Sequence, residues 1–346
     1  MIHYYGEKAI DCNTIFPYRR RKIQGKEFLL MAVWAADIGG TNIKLAIVDR
    51  GRILRMREIA AIPADGLRRA MDRIAPVWLE LCEQTGIAQC DITAIGLAIP
   101  AIVAPESGKI WAVPGGKFAD APKFKLAAWI DKKFSKPAYW CNDAHAALAG
   151  ELKYGVARGA KNVGMITMGT GVGTAVVMQG KALTGTHGLA GNAGGHNTLD
   201  AGGGPCGCGN IGCVEMHASS WALPAQAANS PLFSQSALAA EAAITYEAVF
   251  RLAGKGDLLA RQLRAHALKI WAITATTLIH NYDPDLLVLG GKIAQCADVI
   301  VPYMHKFIRA HCWAKWNVPI RPAALGNEAG IKGIAYLATK DAKRSR

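Results

Sequence analysis

The chain has 346 residues, 51% of them hydrophobic and 19% charged, which allows two ordinary domains and excludes a disordered chain. Its formal net charge is +14, but Lys and Arg are spread along the sequence and form one tight run, Arg19 to Lys22, so a nucleic-acid partner is not favoured and an anionic nucleotide explains the charge. Nine cysteines do not read as a secreted disulfide scaffold, no apolar run is long enough to span a bilayer, and no signal-peptide layout opens the chain, so the cytoplasm is the expected compartment.

Residues 1–30 lack a clear period and are expected to be a peripheral extension. A strand then runs from Ala32 into Asp37-Ile-Gly-Gly-Thr-Asn42, and a second follows over Ile43–Val48. Arg52–Ile59 reads as a third strand, Asp65–Glu83 as a helix, and Asp91–Ile99 as a strand closed by Pro100. Phe124–Phe134 has helical spacing, Ala138–Cys141 is a short buried strand, and Ala144–Tyr154 is a helix.

The opening pattern then recurs. Asn162–Met168 is a strand, Gly169-Thr-Gly-Val-Gly173 a glycine turn, and Thr174–Met178 a returning strand, which together predict an internal duplication. Beyond a Cys-rich loop, helical spacing covers Ser236–Ala253 and Asp257–Tyr282. Asp285–Leu289 is a strand ending in Gly290-Gly291, Ala297–Cys312 a helix, Ile320 lies in a short strand, and a last helix starts near Glu328.

The two glycine turns are candidate phosphate cradles, because consecutive backbone N–H groups without side chains form an anion nest, and Thr41 and Thr170 add hydroxyl donors. An ordinary hairpin turn is the competing reading for either one, and the repetition favours phosphate. Asp37, at a strand end, could hold Mg²⁺ through water. Neither turn has the spacing of a P-loop or of a dinucleotide-binding fingerprint. Asn142-Asp143 opens a helix after a buried strand, where a helix cap and a catalytic base are equally good readings. His196 with Cys206, Cys208 and Cys213 makes a ligand set for structural, tetrahedral zinc, against the alternative of unrelated buried thiols. Glu215 is either a solvated acid or a sugar-hydroxyl acceptor. His145, His187 and His217 are taken as structural or solvent-facing, with His187 the least secure because of its glycine-rich loop.

These motifs resemble the ROK family of sugar kinases and sugar-responsive repressors. Asp37-Ile-Gly-Gly-Thr41 and Gly169-Thr-Gly-Val-Gly173 resemble its two phosphate motifs, Gly96-Leu-Ala-Ile-Pro100 its connecting segment, and Asn142-Asp143-Ala144 the motif of its catalytic Asp. Cys208-Gly-Asn-Ile-Gly-Cys213-Val-Glu215 is similar to the most specific part of its zinc signature, and Gly290-Gly291 to its adenosine-side glycine pair.

The resemblance implies an α/β actin-like ATPase (ribonuclease H-like) fold of two related domains around a cleft. The expected divisions are 31–141, completed by a C-terminal helix over 328–346, and 142–327 with a zinc loop over 187–217. It also implies ATP as phosphoryl donor, a hexose as acceptor, Asp143 as general base, and Asn142, Asp143, Asn192, His196 and Glu215 as sugar-binding residues. The nucleotide side would comprise Asp37, Gly39, Gly40, Thr41, Asn42, Lys44, Gly169, Thr170, Gly171, Gly173, Gly290 and Gly291. Pairing of family members makes a homodimer an expectation.

Two departures concern the sugar. The family's Glu before the zinc His is replaced by Asn192, with one residue inserted, and the usual Pro-Asn-Leu-like segment reads Pro114-Gly-Gly-Lys-Phe. Glucose is therefore the leading acceptor, with N-acetylhexosamine, fructose or allose as alternatives. A repressor is disfavoured because some 30 residues before Met31 are too few for a DNA-binding domain, and an inactive sugar-binding protein is disfavoured by Asp143 and both glycine turns.

Overall fold

The computed structural model describes residues 20–23, 26–29, 31–313 and 317–344. The expected peripheral role of residues 1–30 falls mostly outside them. Two short strands in that stretch, β1 (Arg20–Ile23) and β2 (Lys26–Leu29), pair antiparallel.

Next come β3 (Ala32–Ile38), β4 (Asn42–Asp49), β5 (Arg52–Ala60) and α1 (Gly66–Thr85). They are followed by β6 (Ile92–Ile99), the hairpin strands β7 (Ile102–Val103) and β8 (Ile110–Ala112), α2 (Leu126–Phe134) and β9 (Ala138–Asn142). The first large sheet has the order β5-β4-β3-β6-β9. Its middle strand β3 is almost wholly buried, which is why its sequence reads as a continuous apolar run rather than an alternating one. The outer strand β5 carries Arg52, Arg55, Arg57 and Glu58, charges that suit an exposed edge. α1 lays Leu67, Met71, Ile74, Trp78 and Leu81 on this sheet, and the Trp34 and Trp78 rings stack with centroids 5.5 Å apart.

α3 (Asp143–Tyr154) leads to β10 (Val163–Met168), β11 (Val172–Met178) and β12 (Lys181–Ala182). After the Cys-rich loop come α4 (Val214–Ala218), α5 (Leu223–Ala228), α6 (Tyr246–Gly254) and α7 (Leu258–Tyr282). The chain continues through β13 (Leu286–Gly290), α8 (Ala297–His311), β14 (Ile320–Pro322) and α9 (Ala329–Arg344). The second sheet has the order β12-β11-β10-β13-β14, three antiparallel strands followed by two parallel ones, the same plan as the first. The repeat of strand, glycine turn and strand is thus a repeat of sheet topology.

One expected helix is corrected. Ser236–Ala253 is not continuous: a 3-10 turn covers Ala237–Ala240 and α6 begins only at Tyr246. The Ser236 hydroxyl donates to Asp257, and Thr245 caps α6 by accepting the Ala248 amide at 3.1 Å, so two polar side chains stop the apolar period from propagating.

α9 packs on β3 and β6, placing Ile331, Ile334, Ala335 and Ala338 against Val33, Ala35, Ala94 and Ala98. Gly96 permits this, because a Cβ there would stand 2.8 Å from the Ile334 carbonyl oxygen. α9 also crosses α3 in backbone contact: a Cβ on Gly333 would lie 1.7 Å from the Ala146 oxygen.

Candidate active site

Each parallel strand of the first sheet delivers its carboxyl end to one edge, the usual place for chemistry in a sheet of this kind. β3 brings Asp37 there and β9 brings Asn142, with Asp143 as the first residue of α3. Asn142 caps α3: its Oδ1 accepts the Ala144 amide at 3.0 Å and the His145 amide at 3.4 Å, while its Nδ2 donates to the Ala101 carbonyl. The cap is therefore Asn142, which leaves Asp143 free of that duty except for one bond from the Ala144 amide at 2.9 Å.

Burial, and then the charge of Asp37, pushes Asp143 up to about 7. Burial likewise raises Asp37, opposed by Lys44, whose Nζ lies 3.9 Å from Asp37 Oδ2. Lys44, expected on the nucleotide side, also donates to the Asn327 carbonyl at 3.2 Å. The buried His145 imidazole is held down to about 4 by desolvation, against a backbone hydrogen bond at Leu183, and stays neutral.

Both glycine turns lie beside this edge. In the first, the Gly39 amide donates to the Asn42 carbonyl at 3.0 Å and Ala61 to the Thr41 carbonyl at 2.8 Å. In the second, Gly169 donates to the Gly171 carbonyl at 3.0 Å, while the Ser220 and Trp221 amides hold the carbonyls of Gly169 and Thr170. Space around Gly169 is open, whereas a Cβ on Gly173 would crowd Thr167 Oγ1. Gly290 and Gly291 follow β13 next to β10. Gly291 has φ +84°, and a Cβ there would strike the Met168 carbonyl, so the pair abuts the start of the second turn.

The Cys-rich loop brings the four expected ligands together: one donor atom each from His196, Cys206, Cys208 and Cys213, all within 4.8 Å of one another. Cys208 Sγ stands 3.7 Å from Cys213 Sγ, and Cys206 Sγ 3.8 Å from His196 Nδ1. Thiolates on one tetrahedral zinc, each bonded at about 2.3 Å, stand about 3.8 Å apart, so the donor set fits that ion. Burial and the neighbouring thiols push Cys213 up, a crowding that a dication relieves by binding thiolates.

Glu215 ties two segments together. It is half-buried on α4; its Oε2 accepts the Val172 amide at 3.0 Å and its Oε1 the Trp221 indole at 3.3 Å. The Cys-rich loop is thereby joined to the second glycine turn. Asn192 is turned to its own loop, donating from Nδ2 to the Gly188 carbonyl at 2.6 Å. His187 meets the Trp111 ring edge-on at 5.3 Å, and Gly188 lies against Val103, so this loop touches the β7–β8 hairpin. Gly207, between two of the cysteines, approaches Gly115. A cavity of about 450 Å³ lined by Thr174, Thr184, His187, Asn197 and Tyr282 does not include Asp143 or Glu215.

The sequence profile of the ROK family matches residues 33–341. The chain belongs to the ROK family. It is 29% identical to a glucokinase from Halalkalibacterium halodurans over 87% of this chain and 93% of that one. It is 30% identical to an N-acetylmannosamine kinase from Salmonella newport over 90% and 99%. Among solved structures, a ROK family glucokinase from Streptomyces griseus in complex with glucose and AMPPNP superposes with a TM-score of 0.76 at 26% identity, covering 89% of this chain and 99% of that one. These relatives, with the two mixed sheets, support an actin-like ATPase fold and a phosphotransferase of the sugar-kinase type. No helix among the described residues is long and apolar enough to cross a membrane.

Sequence reasoning missed two residues here. Trp221, which bonds Glu215, carries no local signal. Lys117, over the first glycine turn, was visible only as a cation directly after Gly115-Gly116.

Proposed function

We propose that this protein transfers the γ-phosphoryl group of ATP to the 6-hydroxyl of a hexose, with glucose the first candidate. The observation that carries this reading is Asp143: a half-buried carboxylate at the start of α3 whose pKa desolvation, and then the charge of Asp37, pushes up to about 7. A base must accept the hydroxyl proton as the phosphoryl group arrives in line, and a pKa near ambient pH suits that task. Asn142 fixes the start of α3, and so the carboxylate's position. The glycine turns cradle the phosphates. Asp37 would hold Mg²⁺ through water, and the ion supplies neutralisation of phosphate charge when bound. His196, Cys206, Cys208 and Cys213 would hold structural zinc, which fixes the loop carrying Glu215. The cytoplasm suits an ATP-dependent activity.

A second reading keeps the chemistry and changes the acceptor to an N-acetylhexosamine. The likeness to an N-acetylmannosamine kinase and the bare Gly115-Gly116 stretch, with nothing within 4 Å of either Cβ position, favour it. Fructose and allose are tested with it. An ADP-release assay across glucose, N-acetylmannosamine, N-acetylglucosamine, fructose and allose decides between them. Turnover by wild type and its loss in Asp143→Asn supports the base; near-normal turnover by that variant overturns it.

A further inference from the structure

Two lysines border the first glycine turn. Lys44 is committed to Asp37 and the Asn327 carbonyl. Lys117 has no hydrogen-bond or ion-pair partner among the described residues, yet its ammonium lies on the turn. A Cβ on Gly40 would stand 3.0 Å from Lys117 Nζ and 3.5 Å and 3.6 Å from its Cε and Cδ. The absence of a side chain at Gly40 is what admits it.

The placement is built rather than incidental. Phe118, the next residue, is fully buried and holds φ +52°, an uncommon conformation for a bulky side chain. Its amide donates to the Pro63 carbonyl at 3.0 Å. Three residues past Lys117, Asp120 accepts the Leu67 and Arg68 amides at the start of α1. The chain just past Lys117 is therefore pinned to the core and to α1, while Gly115 and Gly116 before it are open. Laying a long side chain along a turn costs rotamer freedom, and no protein contact of its ammonium offsets that cost. An anion seated in the turn would.

We propose that Lys117 binds the terminal phosphoryl group of a nucleoside triphosphate at the first glycine turn, giving that cradle the cation that Lys44 does not supply. This rests on the reading of the turn as phosphate-binding. The same ammonium can meet the phosphoryl group once it is on the sugar, so the decisive measurement is made without sugar.

The full-length wild type, Lys117→Met and Lys117→Arg are titrated calorimetrically with AMPPNP and with ADP, each with excess Mg²⁺. A charge-assisted hydrogen bond to the terminal group predicts that Lys117→Met weakens AMPPNP on the order of 10- to 100-fold. ADP, lacking that group, should change by less than about twofold, and Lys117→Arg should recover most of the loss. A merely structural role would move both nucleotides together. Equal AMPPNP affinity in wild type and Lys117→Met, or equal losses for AMPPNP and ADP, overturns the role of Lys117 while leaving phosphoryl transfer standing. A wild type that binds neither nucleotide overturns both. Thermal melts report folding, and Lys117→Gln carries the same comparison if the Met variant does not fold.

Discussion

The Glu215 carboxylate accepts the Val172 amide at 3.0 Å, so the loop that gathers the cysteines is hydrogen-bonded to the glycine turn at the head of β11. Its other oxygen takes the Trp221 indole. Glu215→Ala removes both acceptors and should cost about 1–3 kcal/mol in urea unfolding, with a marked drop in kcat. Glu215→Gln keeps an acceptor for Val172 and should retain most of the stability. Equal stability of the Ala variant and wild type would show that the tie carries no weight.

Asp143 gives a pH signature with a fixed sign. Its pKa is raised to about 7 by burial and then by Asp37, and a base works deprotonated, so kcat/KM should rise through about pH 7 and level off above it. Asp37→Asn removes the second cause, and the residual activity should show its acid limb at lower pH. An unmoved limb would mean that the two carboxylates do not interact.

The same shift acts on stability. The unfolded carboxyl ionises near 3.8 while the folded one holds its proton to about 7, so the cost to the fold is absent below pH 3.8, grows between the two values and is complete above 7. Asp143→Asn should therefore stabilise the ligand-free protein at pH 8 by up to roughly 4 kcal/mol in denaturant unfolding, with a higher melting temperature. Near pH 4 it should change little. A variant less stable than wild type at pH 8 contradicts the burial argument.

The Cys-rich loop predicts one zinc per chain by elemental analysis, lost in Cys213→Ser and after denaturation with a chelator. Loss of the metal should release the loop, read as faster proteolysis within 196–213 and as weaker sugar binding. A metal-free wild type with full activity would remove zinc from the account.

Gly333→Ala tests the crossing of α3 and α9. The added methyl would meet the Ala146 oxygen at 1.7 Å, so the helices must part, at a cost of about 1–3 kcal/mol or more in denaturant unfolding. A neutral effect would mean that the crossing is loose.

What the sequence disclosed followed from local physics. Most strands of the two sheets announce themselves as apolar runs and the long helices by period, the glycine turns and Cys spacing by residue type, while the two-residue strand β12 gave no signal. The Ser236–Ala253 stretch misled because its period is helical while the Ser236–Asp257 bond that breaks it is a tertiary contact. The β7–β8 hairpin and the short helices α4 and α5 are below the length at which a period exists. At the site, the sequence could not say which of Asn142 and Asp143 caps α3, because the cap bonds from Asn142 are set by the backbone geometry of the helix start. The partners of Glu215, Val172 and Trp221, carried no signal in the sequence because they are chosen by folding rather than by neighbourhood in the chain.

The position of α9 has a consequence for biosynthesis. β3 and β6 leave the ribosome before the second sheet, but the helix that covers one face of them is encoded after it. Until it emerges, Val33, Ala35, Ala94 and Ala98 have no lid on that side. The second sheet, by contrast, has α7 and α8 supplied close to its own strands. The first sheet is thus completed after the second, and a chain stalled before residue 329 would present a nascent sheet with one apolar face open to chaperones.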